Sequence, residues 1–133
     1  MGIQRPKILL IDDDPDFLKL LTTLLRRDYF VITASTGSDG CEKAKGCQPH
    51  LIMCDVHMPS GWDGLTTVKK LKEVPALTRV PIFMLTADAR SHVAQAALEA
   101  GVSGYIRKDC LDRDDLMERI EQAVAGAQSV NAD

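Results

Sequence analysis

Lys7-Ile8-Leu9-Leu10-Ile11-Asp12-Asp13-Asp14-Pro15 decides the fold. An apolar run of strand length ends abruptly on three carboxylates, and the proline behind them suits a first helical turn, where a missing N–H costs nothing. Strand, acidic loop and helix in that order open a βα unit. A second apolar run, Leu51-Ile52-Met53-Cys54, ends on Asp55. In a parallel sheet the carboxyl ends of neighbouring strands lie side by side, so the two runs would bring Asp12, Asp13 and Asp55 into one crevice. Like charges that close repel, and a hard divalent cation, Mg2+ foremost, relieves them. The same repulsion predicts that Asp13→Asn stabilises the metal-free protein while weakening Mg2+ binding.

Outward from these runs the pattern alternates. Asp14 caps and Pro15 opens a helix whose apolar stripe is Phe17, Leu18, Leu20, Leu21, Leu24 and Leu25. Phe30 to Ala34 reads as a short strand, and Ser38 to Lys45 as a weaker helix closed by Gly46 and Pro49. Val56 to Gly64 is a loop, after which Leu65, Val68 and Leu71 open an amphipathic helix. Val80-Pro81-Ile82-Phe83-Met84-Leu85 reads as a buried strand running into Thr86-Ala87, its proline placed early, where a ladder donor is dispensable. A helix from Ala89 to Ala100 stops at Gly101, and a strand Gly104-Tyr105-Ile106-Arg107 ends on Lys108. Leu116, Ile120 and Val124 stripe the last helix, behind the charged start Asp112-Arg113-Asp114-Asp115. Five βα units predict an α/β fold, a parallel sheet covered on both faces by helices through right-handed crossovers. The expected domain is 7–126, with 1–6 an extension and 127–133 a disordered tail.

Bulk composition bounds the function. A chain of 133 residues, 45% hydrophobic and 26% charged, has room for one domain with a real core. Net charge is −3 and the basic residues are scattered, which argues against direct nucleic-acid binding by this domain. The start, Met1 to Lys7, lacks a following signal-peptide core, and no apolar run has membrane-spanning length, so a cytoplasmic location with no membrane partner is expected. Cys41, Cys47, Cys54 and Cys110 form no CxxC pair, and His50, His57 and His92 lack metal-ligand spacing. Reduced structural thiols are the expectation.

The strand ends collect Asp12, Asp13, Asp55, Thr86 and Lys108. Together these supply a carboxylate nucleophile, acids to hold Mg2+, a hydroxyl donor and an ammonium, the parts of a phosphoryl-transfer site. Singly each has a bland reading. Asp14 and Asp16 are ordinary helix-start residues, and a lone Thr86, Tyr105 or Lys108 would be strand end, rim or solvated surface. Joint placement on four strands outweighs those readings.

The motifs Ile8-Leu9-Leu10-Ile11-Asp12-Asp13-Asp14-Pro15, Asp55-Val56-His57-Met58-Pro59 with Asp63-Gly64, Leu85-Thr86-Ala87 and Gly104-Tyr105-Ile106-Arg107-Lys108 resemble the receiver domain of two-component response regulators, from Lys7 to about Ala125. The resemblance implies a flavodoxin-like sheet of order 2-1-3-4-5 with five helices. It also implies that Asp55 accepts a phosphoryl group from a histidine kinase or phosphotransfer protein. Asp13, Asp55 and the backbone carbonyl of His57 would ligate Mg2+, with Asp12 acting mainly through a bound water. Thr86 and Lys108 would grip phosphoryl oxygens, Thr86 and Tyr105 would form the switch, and His57 and Asp88 would tune the lifetime of the phosphorylated state. The surface from about Ala89 to Ala125, made by helix four, strand five and helix five, would then change and regulate a downstream protein or an output domain. Such a switch assists its own phosphorylation and dephosphorylation and turns over no external substrate. No output domain is read after the final helix, which leaves a stand-alone receiver and a module of a longer regulator both open.

Two departures from that pattern carry expectations. Asp109-Cys110 follows Lys108 where many receivers have a cis proline, so a trans bond or an altered loop is expected; receivers joined to LuxR-type output domains often show Lys-Asp here, so the missing proline does not exclude function. The loop between Asp55 and Gly64 is one residue longer than the family's usual length, with Ser60-Gly61-Trp62 at the insertion, which would let Trp62 overhang the site. Rival readings fit worse. A haloacid-dehalogenase-like phosphatase would carry its nucleophile on the first strand, and a flavodoxin-like flavin carrier would not line its phosphate loop with acids. A degenerate receiver serving only as a binding module would not need the complete set of five.

Overall fold

The computed structural model describes residues 5–59, 61–87 and 92–132. Five strands, β1 (Lys7–Ile11), β2 (Phe30–Ala34), β3 (Leu51–Asp55), β4 (Ile82–Thr86) and β5 (Gly104–Arg107), alternate with helices α1 (Pro15–Leu25), α2 (Gly37–Cys47), α3 (Gly64–Lys72), α4 (His92–Glu99) and α5 (Arg113–Ala132). All pairings are parallel in the order β2-β1-β3-β4-β5, as expected. Side chains alternate across the sheet and build two cores. Ile8, Leu10, Met53, Leu85 and Ile106 face Leu21 and Leu25 of α1 and Leu116, Ile120 and Val124 of α5. Leu9, Ile11, Ile52, Cys54 and Met84 face Ala44 of α2, Val68 and Leu71 of α3 and Ala97 of α4. Cys54 thus points away from the face of its neighbour Asp55.

Local chemistry sets the helix starts. Asp14 accepts from the Asp16 and Phe17 N–H groups at 3.0 and 3.4 Å, with Pro15 at the first position. Thr36 caps α2 through Asp39 N at 3.1 Å, and Asp63 caps α3 through Thr66 N at 2.8 Å. Both helices start one residue before the sequence-based expectation, because these side chains satisfy the first-turn donors. At its other end α2 runs through Gly46, and Gln48 takes the left-handed conformation (φ 51°) before Pro49 stops the chain. β4 begins at Ile82, not Val80, since Pro81 offers no donor and Val80 N bonds Leu77 O in the turn that follows a 3-10 helix (Pro75–Leu77). The expected start of α4 at Ala89 lies outside the described residues. α5 continues to Ala132, past the expected boundary at 126, because nothing in Ala-Gly-Ala-Gln-Ser-Val breaks a helix as proline would. Among the described residues no helix is long and apolar enough to cross a membrane.

Candidate functional site

Strand order alone gathers the site. β1, β3, β4 and β5 are consecutive in the sheet, so Asp12 just past β1, Asp55 at the end of β3, Thr86 at the end of β4 and Lys108 just past β5 share its carboxyl edge. Backbone bonds continue the ladder into the loops: Asp12 N donates to Ala34 O at 3.0 Å, Val56 N to Leu85 O at 2.9 Å and Lys108 N to Thr86 O at 2.8 Å. Gly64 lets α3 start directly against the exit of β3. A Cβ there would overlap the Asp55 carbonyl, and Gly64 N donates to Val56 O at 3.0 Å.

Ligand oxygens of Asp12, Asp13 and Asp55 all lie within 4.8 Å of one another. Asp12 is wholly buried and Asp55 is 5% exposed, while Asp13 faces solvent. Asp12 Oδ1 accepts from Asp14 N at 2.9 Å, which fixes the carboxylate plane. The Lys108 ammonium sits 2.6 Å from Asp12 Oδ2 and 3.3 Å from Asp55 Oδ1. Asp12 Oδ2 is buried, and its charge is met by the Lys108 ammonium. One ammonium shared between two buried carboxylates leaves excess negative charge, which a further cation would relieve. Three carboxylates whose oxygens lie this close, with one ammonium between two of them, fit a site for Mg2+.

Charge crowding shows in the titration of Asp55, whose pKa is pushed from 3.8 up to about 7. Burial is the first cause and Asp12 the second; Lys108 and the His57 N–H, 3.4 Å from Asp55 Oδ1, pull the other way. For Lys108 burial acts to lower the pKa, and the carboxylates of Asp12 and Asp55 outweigh it, so the ammonium is held more firmly than usual.

Asp12, Asp13, Asp55 and Lys108 therefore meet directly, and Thr86, itself buried, is carried to the same edge by pairing with Arg107 across β4 and β5. His57 is exposed and reaches the site through its backbone. Tyr105 stands three residues before Lys108, half-buried against the core on the α2, α3 and α4 side. Asp88 lies outside the described residues. Trp62 does not overhang the crevice: its ring packs on the same core with the Lys70 ammonium 5.6 Å from the centroid, its Cβ beside Gly37 of α2. An apolar ring gains more by covering that helix seam than by roofing a charged cleft. No cis peptide occurs among the described residues, and Asp109 instead accepts two bonds from Arg107, at 2.7 and 3.1 Å, which hold the Asp109 carboxyl below its ordinary pKa.

One site residue escaped the sequence reading. The Lys108 ammonium lies 4.6 Å from the centre of the Phe17 ring, so the cation is held between two carboxylates and an aromatic face. Phe17 had counted only as part of an apolar stripe. Its nearness to the capped start of α1, one turn beyond the acids, was the available signal.

Comparison with known proteins agrees with this geometry. The sequence model of the response regulator receiver domain matches residues 8–121. The chain is 37% identical over 130 residues to the nitrate/nitrite response regulator protein NarL of Escherichia coli K12, covering 95% of this chain and 58% of that protein. It is 33% identical over 116 residues to hybrid signal transduction histidine kinase D of Dictyostelium discoideum, covering 87% of this chain and 7% of that one. It thus spans just over half of the first relative and a small part of the second. Among solved structures, the receiver domain of a sensor histidine kinase from Pseudomonas aeruginosa PAO1, with a magnesium ion coordinated in its active site cleft, superposes with a TM-score of 0.83 at 25% identity, over 91% of this chain and 98% of that one.

Proposed function

We propose, since this chain belongs to the response regulator receiver domain family, that Asp55 accepts a phosphoryl group from a histidine kinase or phosphotransfer protein and that the resulting acyl phosphate switches a downstream partner or output domain. The observation that carries this reading is the bridging of two buried acids, Asp12 and Asp55, by one ammonium, 2.6 and 3.3 Å away, at the carboxyl edge of the sheet. An Asp55 carboxylate oxygen forms the new bond to phosphorus as the donor's P–N bond breaks and the imidazole departs. Lys108, already beside Asp55, takes a phosphoryl oxygen, and Thr86 donates its hydroxyl to another. Mg2+, held by Asp12, Asp13, Asp55 and the His57 carbonyl, would neutralise the acids and the incoming oxygens. The added charge then draws Thr86 and Lys108 inward, and Tyr105 turns toward the space that Thr86 leaves. The surface from about Ala89 to Ala125 changes with it, and a partner preferring one form reads the difference. His57 and Asp88 tune hydrolysis from the rim; no external substrate is turned over, and residues 7–126 make up the working unit in the cytoplasm.

The test is incubation with Mg2+ and a small-molecule phosphoryl donor, read by intact mass. A single adduct that disappears in Asp55→Asn and without Mg2+ is expected. Full modification of the Asp55→Asn protein, or none of the wild type with any donor, would refute the assignment.

A further inference from the structure

We propose that a trough at the opposite, amino-terminal edge of the sheet binds a small ligand carrying two or more phosphate charges. The trough, about 550 Å3, is entered where β4 and β5 begin, and three cations line it: Lys72, Arg79 and Arg119. Lys72 extends over Gly101, its Nζ 4.0 Å and Cε 3.5 Å from where a Cβ would stand. Arg119 Nη2 lies 3.1 Å from the corresponding point on Gly104. The two glycines bracket Ser103, so both cations flank one short chain segment. The Arg119 guanidinium is braced 5.1 Å over the Phe83 ring, which fixes the plane of its donor fork. Lys72 and Arg119 are half-buried, yet no carboxylate lines the trough and, among the described residues, none pairs with any of the three. The dipole of α3 accounts for Lys72 at its C-terminal turn, a task Lys69 and Lys70 share, but not for the two arginines.

Three cations on one trough, two of them half-buried and none in an ion pair among the described residues, describe a receptor for an anion, even with Asp112 and Asp115 in the adjoining hollow that Arg119 also lines. Ser103 and Gln122 add neutral donors at the wall. A second hollow of about 400 Å3 shares Arg79 and extends the space, so a ligand of nucleotide size has room beyond its phosphates. A chain of net charge −3 would not attract such an anion in general, which makes the local basic end specific.

The experiment is an amide NMR titration of the whole chain in EDTA, with pyrophosphate and ADP as probes and adenosine as the uncharged control. EDTA leaves the acid crevice without metal, where its carboxylates repel phosphate. Saturable shifts at Ser103, Gln122 and Gly126 are expected with both probes, weakening with added salt. Arg79→Gln with Arg119→Gln should lower affinity by about tenfold or more while the adduct at Asp55 still forms. The exposed Arg79→Gln alone, which cannot disturb the core, should lose part of it. The proposal is overturned if neither probe saturates at these amides, if adenosine binds as well, or if the double variant binds unchanged. It is equally overturned if a hexaglutamate peptide binds where pyrophosphate does not, since the trough would then be a protein-docking surface.

Discussion

Replacing Asp55 by asparagine should stabilise the metal-free protein, and by more as pH rises from about 4 to about 7. In the fold this carboxyl titrates near 7, against 3.8 for the free group, because it is buried beside Asp12. A folded pKa raised above the unfolded value means that the folded state holds its proton longer. The stability associated with protonated Asp55 is complete below about 3.8 and is lost as pH rises through about 7. At 1.36 kcal/mol per unit the displacement is worth about 4 kcal/mol. Water at the mouth of the crevice screens the charge, and halving the figure leaves about 2 kcal/mol. Asparagine keeps the shape and removes the charge, so the variant should melt about 6 °C above wild type at pH 8 in EDTA, with the gap shrinking to about 2 °C at pH 5. Thermal melts across that range are the assay. Saturating Mg2+ should narrow the gap at pH 8 by raising wild type more than the variant, since it relieves the same repulsion. An Asp55→Asn protein equal to or below wild type at pH 8 without metal, or a gap that does not change with pH, would refute the crowding argument.

Three further outcomes follow from the site. Phe17→Leu removes the aromatic face under Lys108, an interaction worth about 0.5 to 2 kcal/mol, and should slow adduct formation at Asp55 by about threefold to tenfold, with Phe17→Tyr close to wild type in a timed mass assay. Gly64→Ala drives a Cβ into the Asp55 carbonyl and should lower stability by about 2 kcal/mol or more in urea melts, with a matching loss of phosphorylation. With Mg2+ limiting, the rate of phosphorylation by a small donor should rise with pH with a midpoint near 7, because a protonated Asp55 is no nucleophile; a flat profile from pH 5.5 to 8 would contradict it.

Much of this architecture can be read from residue order. Alternating apolar runs and amphipathic stripes place all five strands and helices, because a parallel sheet buried on both faces needs continuous apolar strands and its crossovers need helices. The acids at the ends of β1 and β3 can be read for the same reason, since a strand end is a position the pattern itself defines. What could not be read depends on side-chain direction in loops and first turns. Trp62 was expected over the crevice but covers the α2–α3 seam, and Phe17 packs on the core as its stripe implies yet also touches Lys108. Nor does spacing tell which acid bears the cost of crowding. Asp13 is exposed, so the burden falls on Asp12 and Asp55, and Asp55→Asn is the sharper test than Asp13→Asn.

The cost of that buried pair would also help the site act as the switch proposed above. Lys108 is shared between two acids and lies closer to Asp12, at 2.6 Å, than to Asp55, at 3.3 Å. Phosphorylation of Asp55 would present the ammonium with a more strongly charged partner on the side where its contact is now longer. The shift needed is small, and Phe17 offers the cation a favourable surface to move across. Lys108 is also tied through its backbone N–H to the Thr86 carbonyl at 2.8 Å, so a change at its side chain is passed to the ends of β4 and β5 together. A site already satisfied in its resting state would gain little from new charge. Here one ammonium serves two buried acids and Asp55 resists ionisation, so the resting state would be relieved by a further electropositive partner.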